Sequence, residues 1–303
     1  MKPLLEVHHV SKTYRRGRKG RTDALQDLSF TLPRGCCLGI VGESGCGKST
    51  LCRLITGLER PTSGQILYDG IPVLSKKLRG KIQMVFQNSL DSVNLHATAF
   101  QIISEPLENF TSMTRNQRQA EVGRLMELVG LPAEDMWKYP QQFSGGQLQR
   151  ICIARALAAK PELLILDEPL SSLDVSVQAQ LLNLLAELKQ SLNLTCILIS
   201  HDLEAVYYLS DALLILYGGQ IMEEIDRIDD FSALCHPYTR RLLAAHGMAA
   251  SDQTQAAESL HPQTSGCAYA QRCPLSDTSC AACVPPLRSI SPSHRMACPK
   301  VNA

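Results

Sequence analysis

The sequence carries almost no excess charge. Thirty Lys and Arg stand against 29 Asp and Glu, a formal net charge of +1, so there is no chain-wide field that would draw nucleic acid. Long apolar runs are missing as well. None approaches the roughly 18 residues that a membrane-spanning helix needs, and any link to a membrane is expected to pass through partners. No heptad pattern is sustained, which argues against a long coiled coil. Met1 to Val7 contains Glu6 and no apolar leader core, so the start does not read as a secretory signal and a cytosolic setting is expected. There, the twelve cysteines are not expected to pair as disulfides. Cys36, Cys37, Cys46, Cys52, Cys152 and Cys196 lie in apolar stretches and read as small core residues.

What is present is a phosphate-binding pattern. Gly42-Glu43-Ser44-Gly45-Cys46-Gly47-Lys48-Ser49-Thr50 fits G-x-x-x-x-G-K-[ST]. The apolar run Cys37–Val41 precedes it as a buried strand, and Leu51–Leu58 follows with helical character. Strand, glycine loop and helix are the context in which backbone N–H groups and a helix N-terminus converge on phosphate oxygens. Lys48 is expected to reach the β- and γ-phosphates, and Ser49 to ligate magnesium. Downstream, Phe143-Ser144-Gly145-Gly146-Gln147-Leu148-Gln149-Arg150 opens a helical run to Ala158, and Leu163–Leu166 reads as an apolar strand ending in Asp167 and Glu168.

On these motifs and their order the chain resembles the ABC ATPases over roughly residues 1–245. The family signature L-S-G-G-Q is met by Phe143–Gln147, with Phe in place of Leu. Gln87 resembles the Q-loop glutamine, Ser172-Leu173-Asp174 the D-loop, and His201-Asp202 the switch histidine, while Tyr14 lies where an aromatic ring stacks on adenine. The resemblance implies an α/β fold: a P-loop, RecA-like core with an antiparallel β subdomain and a helical subdomain over about 88–160. It assigns Asp167 to magnesium, with Gln87 and Ser49, and Glu168 to the attacking water as general base. His201 goes to the γ-phosphate. Charge on the transferring group must be met by donors already in place. It also implies a dimer, in which Ser144, Gly145 and Gly146 of one subunit cap the γ-phosphate held by the other, with Gln147 counted among the nucleotide-binding residues. Serine before a helix is at the same time a good N-cap.

Strand–helix alternation supports a parallel sheet covered by helices. Leu4–Val10, Leu25–Leu32, Thr195–Ser200 and Ala212–Tyr217 read as strands, and Val175–Leu192 as a helix. In Arg115–Val129, Val122, Leu125, Met126 and Val129 share one face at helical spacing. Tyr14–Arg21 reads as a basic hairpin tip in water.

The tail narrows the resemblance. His236-Pro237-Tyr238-Thr239-Arg240-Arg241-Leu242-Leu243-Ala244-Ala245 resembles the element that ends the ATPase domain in peptide and nickel importers, and, after a polar linker over Ala249–Pro262, Gly266-Cys267, Arg272-Cys273-Pro274, Cys280, His294 and Ala297-Cys298 resemble the C-terminal extension of the dipeptide, oligopeptide and nickel importers. The expected division is a cassette over 1–245 and a small cysteine-containing extension over 246–303. The linker suggests that the phosphate loop folds without the tail. Cys267, Cys273, Cys280 and Cys298 can be read as ligands of an iron–sulfur cluster, of zinc, or of nothing. The subfamily often has Asp-Pro and Asn-Pro after the Q-loop glutamine; here Asn88-Ser89 and Asn94-Leu95 stand there.

The function expected is ATP hydrolysis, with Mg2+, energising an importer of peptides, nickel or metal–chelator complexes. Its partners would be a second ABC ATPase subunit, identical or not, two integral membrane permease subunits and, indirectly, a periplasmic or extracellular substrate-binding protein, with no nucleic acid. Its place would be the cytoplasmic face of the cell membrane. The competing class is a non-transport ABC ATPase acting on DNA or ribosomes; near-zero charge and the lack of heptads speak against it.

Overall fold

The computed structural model describes residues 2–16, 20–171, 173–228, 234–248 and 266–301. In chain order these form β1 (Pro3–Arg16), β2 (Gly20–Pro33), β3 (Cys37–Val41), α1 (Lys48–Ile55), β4 (Ser63–Tyr68), β5 (Ile71–Pro72), β6 (Ile82–Val85), α2 (Ala99–Phe110), α3 (Arg115–Leu128), α4 (Gly145–Ala158), β7 (Leu163–Asp167), α5 (Val175–Ser191), β8 (Thr195–Ile199), α6 (Leu203–Leu209), β9 (Ala212–Tyr217), β10 (Gln220–Ile225), α7 (Pro237–Ala245), α8 (Thr278–Ala282), β11 (Arg288–Ser291) and β12 (His294–Met296). They divide into two compact units. The first holds Met1–Pro33, Leu38–Val73 and His201–Ala303, the second Arg34–Cys37 and Leu74–Ser200.

In the first unit, β2, β1, β4 and β5 form an antiparallel sheet in that order. The hairpin β1–β2 runs well past Leu4–Val10 and Leu25–Leu32, with Arg16 opposite Gly20; the expected basic tip shrinks to residues 17–19, which lie outside the described residues. Strand pairing continues there through polar side chains because exposed ladder positions need no apolar residue. The same unit pairs β3 with β9 in parallel, β9 with β10 antiparallel, and adds β12 and β11 beyond β10. The tail thus contributes strands to the same unit as the phosphate loop. The linker Ala249–Pro262 lies outside the described residues.

In the second unit, β6, β7 and β8 are parallel, with Val85 beside Leu166 and Leu166 beside Leu198. All five residues of β7 and all five of β8 are buried, as strands covered on both faces must be. Three helices here start with the same reciprocal cap. Thr98 with Gln101, Thr114 with Gln117 and Ser144 with Gln147 each form a capping box, satisfying two orphan N–H groups at once. On α3 and its C-cap, Val122, Leu125, Met126 and Val129 are each at most 1% exposed. Among the described residues no helix is long and apolar enough to cross a membrane.

Candidate functional site: a phosphate loop and a carboxylate pair

The first unit carries the phosphate loop. β3 ends at Val41, and α1 starts at Lys48 with Gly47 as N-cap and no side chain capping it, so its first N–H groups are left for a ligand. Gly47 sits at φ 110°, and a Cβ there would lie 2.6 Å from the Ala24 carbonyl oxygen; no other residue fits. The loop is fastened from behind by Gly219, whose N–H donates to Cys46 O at 3.0 Å. Lys48 is 7% exposed, and its ammonium donates to Gly42 O at 2.6 Å and Glu43 O at 3.1 Å. The lysine is therefore folded back on its own loop. Ser44, Gly45 and Ser49 are exposed, Thr50 half-buried and Cys46 buried. Burial pushes the Cys46 thiol up, against the pull of Lys48, so it stays protonated and packs as a small apolar group.

Tyr14 is half-buried. Its hydroxyl donates to Glu59 at 2.6 Å, and the Lys12 ammonium sits 4.9 Å from the ring centroid while pairing with the same Glu59 at 2.9 Å. The ring is thus fixed at its edge and on one face. His201 is exposed just ahead of α6, where the Asp202 carboxylate caps the Glu204 and Ala205 N–H groups at 2.9 and 3.1 Å.

The second unit carries the carboxylates. Asp167, 7% exposed, ends β7. Glu168 follows at φ 47°, a left-handed conformation that costs a non-glycine residue on the order of 1 kcal/mol and collects at functional sites. Its N–H donates to Ile199 O at 2.9 Å, which holds it in that conformation. The Gln87 side-chain amide donates to Glu168 Oε2 at 2.7 Å: two residues separated by 81 positions are brought together at the strand end. Ser144 and Gly145 are exposed at the start of α4. Gly146 is buried, and a Cβ on it would fall 2.4 Å from Val177 Cγ1, so α4 and α5 approach through it. Asp174 is the N-cap of α5 but makes no side-chain capping bond; Ser172 lies outside the described residues.

Two groupings were not legible in the sequence. The segment after Gln87 is tied to α4: Ser89 Oγ bonds Gln149 Oε1, the Ser92 hydroxyl meets Cys152 Sγ at 3.5 Å, and Arg155 donates to Ser92 O at 2.6 Å. Ser89, which stands where the subfamily often has proline, takes part in this attachment. The other grouping is Glu223, Cys235 and His294, whose ligand-type atoms all lie within 4.8 Å of one another, the one such set among the described residues. Glu223 is fully buried and accepts from the Cys235 N–H at 2.8 Å and the His236 N–H at 3.2 Å, with His294 Nε2 also 2.8 Å away. Burial pushes its carboxyl up, but these bonds hold it below the usual range. Its acceptors are in use, and the set reads as a hydrogen-bonded knot stapling β12 to β10.

The four tail cysteines share one neighbourhood. Burial lifts the Cys273 thiol to about 11, and Cys298, Cys267 and Cys280 push the same way. Four thiolates about 2.3 Å from a zinc ion would sit about 3.8 Å apart, a spacing under the 4.8 Å that gathers only the Glu223 set. As placed, the thiols do not form a tetrahedral zinc cage.

A phosphate loop opening a helix, a strand ending in two carboxylates and a serine–glycine helix start define a nucleotide-hydrolysing cassette. Comparison with known proteins places it further. Residues 25–171 match the ABC transporter family and residues 222–280 the oligopeptide/dipeptide transporter C-terminal region. The oligopeptide transport ATP-binding protein AppF of Bacillus subtilis is 40% identical over 97% of this chain and 96% of its own length. The dipeptide transport ATP-binding protein DppF of Escherichia coli is 44% identical over 80% of this chain and 76% of its own. A solved post-hydrolysis dimer of the ATP-binding cassette MJ0796, bound to ADP and Pi, superposes with a TM-score of 0.66 at 28% identity, covering 73% of this chain and 97% of that one. The chain belongs to the ABC transporter ATP-binding family, in the branch that carries the oligopeptide/dipeptide C-terminal region. It is an ABC-type ATPase that binds ATP and energises an importer, and as such it works with membrane permease subunits. These matches do not favour a cassette acting on DNA or ribosomes.

Proposed function

We infer that the chain hydrolyses ATP for the import of short peptides, as one half of a cassette dimer on the cytoplasmic face of the cell membrane. The observation that carries the catalytic reading is the Glu168 carboxylate, held at the end of β7 by the 2.7 Å bond from Gln87. In this reading Gly42, Glu43, Ser44, Gly45, Cys46, Gly47, Lys48, Ser49 and Thr50 cradle the phosphates, and Lys48 exchanges its loop carbonyls for phosphate oxygens. Tyr14 stacks on adenine with its open face. Ser49, Gln87 and Asp167 offer only oxygen donors, which suits magnesium; when bound, that ion offsets the phosphate charge. Glu168 takes the proton of the attacking water, Gln87 orients that water, and His201 meets the γ-phosphate.

Ser144, Gly145, Gly146 and Gln147, with Asp174, close the site of a second cassette. Support comes from the exposed start of α4 and from Val175, 82% exposed beside Asp174. A groove of about 740 Å³ on the helices of the second unit, lined by Phe100, Gln101, Trp137 and Tyr139 among others, offers a permease its contact. Cys267, Cys273, Cys280 and Cys298 hold an iron–sulfur cluster in this reading, and the chain divides into a cassette over 1–245 and an extension over 246–303. The peptide cargo is taken from the names of the relatives.

Glu168→Gln is expected to bind ATP normally while losing about 10²- to 10⁴-fold in turnover, the usual loss of a positioned general base. Near-normal steady-state ATPase activity in the assembled mutant transporter would remove Glu168 from the role. For the cargo, ATPase activity of the transporter in lipid vesicles should rise with peptide-loaded binding protein. Stimulation by a nickel–chelator complex and not by peptides would overturn that part.

A further inference from the structure

Glu43, the second residue of the phosphate loop, is held from three sides. Its carbonyl accepts from Lys48 at 3.1 Å. Its N–H donates to the Tyr238 hydroxyl at 2.9 Å. Its carboxylate accepts from Arg272 Nη1 at 2.8 Å, a residue 229 positions away in the C-terminal region. The same nitrogen donates to the Tyr217 hydroxyl at 3.1 Å. Behind these bonds stand three packed rings: Tyr217 lies 4.6 Å from Tyr238 and 5.2 Å from Tyr269, and Tyr238 lies 5.3 Å from Tyr269. Tyr238 and Tyr269 are 1% and 2% exposed. The tail therefore reaches the nucleotide loop through packed aromatic rings, a link that the sequence reading of an independent loop did not include.

The arrangement is not the one that stability alone would select. Arg272 keeps 14% of its side-chain surface exposed, Glu43 41%. The Arg272 Nε, fully buried, has no hydrogen-bond partner, and a buried donor left unpaired costs stability. What the guanidinium does achieve is electrostatic. A glutamate inside a phosphate loop places a negative charge beside the polyanion the loop must bind, and like charges at such range repel. Arg272 neutralises that carboxylate and holds the side chain in place, while Tyr238 and Lys48 hold the backbone.

We propose that Arg272 is a positioning residue for ATP, anchoring and neutralising Glu43 so that the loop is preorganised for the phosphates. A preformed loop binds without a fresh ordering cost. The inference rests on the reading that Gly42–Thr50 hold the phosphates.

The test uses the full chain, equilibrium titration with the fluorescent analogue TNP-ATP, and steady-state ATPase kinetics. Arg272→Ala should weaken nucleotide binding and raise KM about five- to tenfold, with kcat little changed, in line with coupling energies of contacting charged groups. The decisive variant is the double one. Glu43→Gln placed in the Arg272→Ala background removes the uncompensated charge and should recover most of the lost affinity. A merely structural arginine would not be rescued by a change in the loop. Should Arg272→Ala fail to fold by thermal melting, Arg272→Met keeps the apolar stem and carries the same comparison. Lys48→Ala is the control. If it binds TNP-ATP as well as the native chain, the phosphate-loop reading itself fails. If it loses binding while Arg272→Ala binds normally, or if Glu43→Gln gives no rescue, the loop reading stands and this proposal is overturned.

Discussion

His236 caps α7 by accepting the Tyr238 N–H on Nδ1 at 3.1 Å, which requires that nitrogen to be unprotonated. Burial pushes its pKa from 6.5 down to about 4, against a smaller opposite pull from Glu223. Between these two pH values the unfolded chain binds a proton at this histidine and the folded chain does not. Stability therefore rises with pH across that window and is lost as pH falls from about 6.5 to about 4, by a maximum on the order of 3 kcal/mol. Glu223, held below the usual carboxylate range, adds a loss of the same sign further down. The expected outcome is a steep fall in urea midpoint between pH 7 and pH 4.5, flattened in His236→Asn, which keeps a capping side chain without the titration. An unchanged slope in that variant would assign the loss elsewhere. The residue scale also shows what sequence conveys poorly. The phosphate loop, Asp167 and Glu168 were legible because their neighbours in the chain supply the context. Arg272 was not, since its partner Glu43 lies 229 positions away and nothing periodic links them.

Elements were legible in proportion to how local their cause is. The buried face of α3 follows from 3.6-residue spacing, and Val122, Leu125 and Met126 lie on it. The tail strands were not seen, because β12 exists through its pairing with β10, Glu223 opposite Met296, rather than through its own three residues. That pairing predicts a cost for truncation. A chain ending at residue 248 exposes the β10 edge, leaves buried Glu223 without His294, and frees Glu43 from Arg272. It should melt lower than the full chain and bind TNP-ATP more weakly; equal melting and binding would show that the tail strands support nothing in the first unit. The cysteines belong to the same scale. A tail with so few apolar residues is a weak core on its own, and metal binding contributes directly to folding in such modules. Anaerobically purified protein should contain iron and a visible absorbance shoulder that Cys273→Ser removes. Colourless protein with stoichiometric zinc would move the ligands to another metal, and metal-free protein with an unchanged melting curve would remove metal from the account.

At the scale of the whole molecule, the exposed start of α4 is the feature on which the proposed second cassette rests. Gly145 and Gly146 separate the two demands on that turn. A side chain at Gly146 collides with Val177, so substitution there damages the packing of α4 on α5. At Gly145 a Cβ meets nothing closer than Leu173 Cδ2 at 3.6 Å, so the fold tolerates one. Aspartate at that first helical position even favours the helix, because its charge opposes the N-terminal dipole. Facing a γ-phosphate across a dimer, the same charge is repelled. Gly145→Asp should therefore melt no lower than the native chain, yet, placed in the Glu168→Gln background, abolish the ATP-dependent closed dimer that loss of hydrolysis is expected to trap, as read by size-exclusion chromatography with light scattering. A dimer that survives Gly145→Asp would mean that the signature turn does not face nucleotide. The partner in the assembled importer is expected to be a second, related ATPase chain. This chain holds every motif that a pair of identical chains would need, so native mass spectrometry of the transporter decides. Two copies of this chain and no other ATPase would reject the mixed pair while leaving the Gly145 argument intact, since a closed site needs a signature turn from either kind of partner.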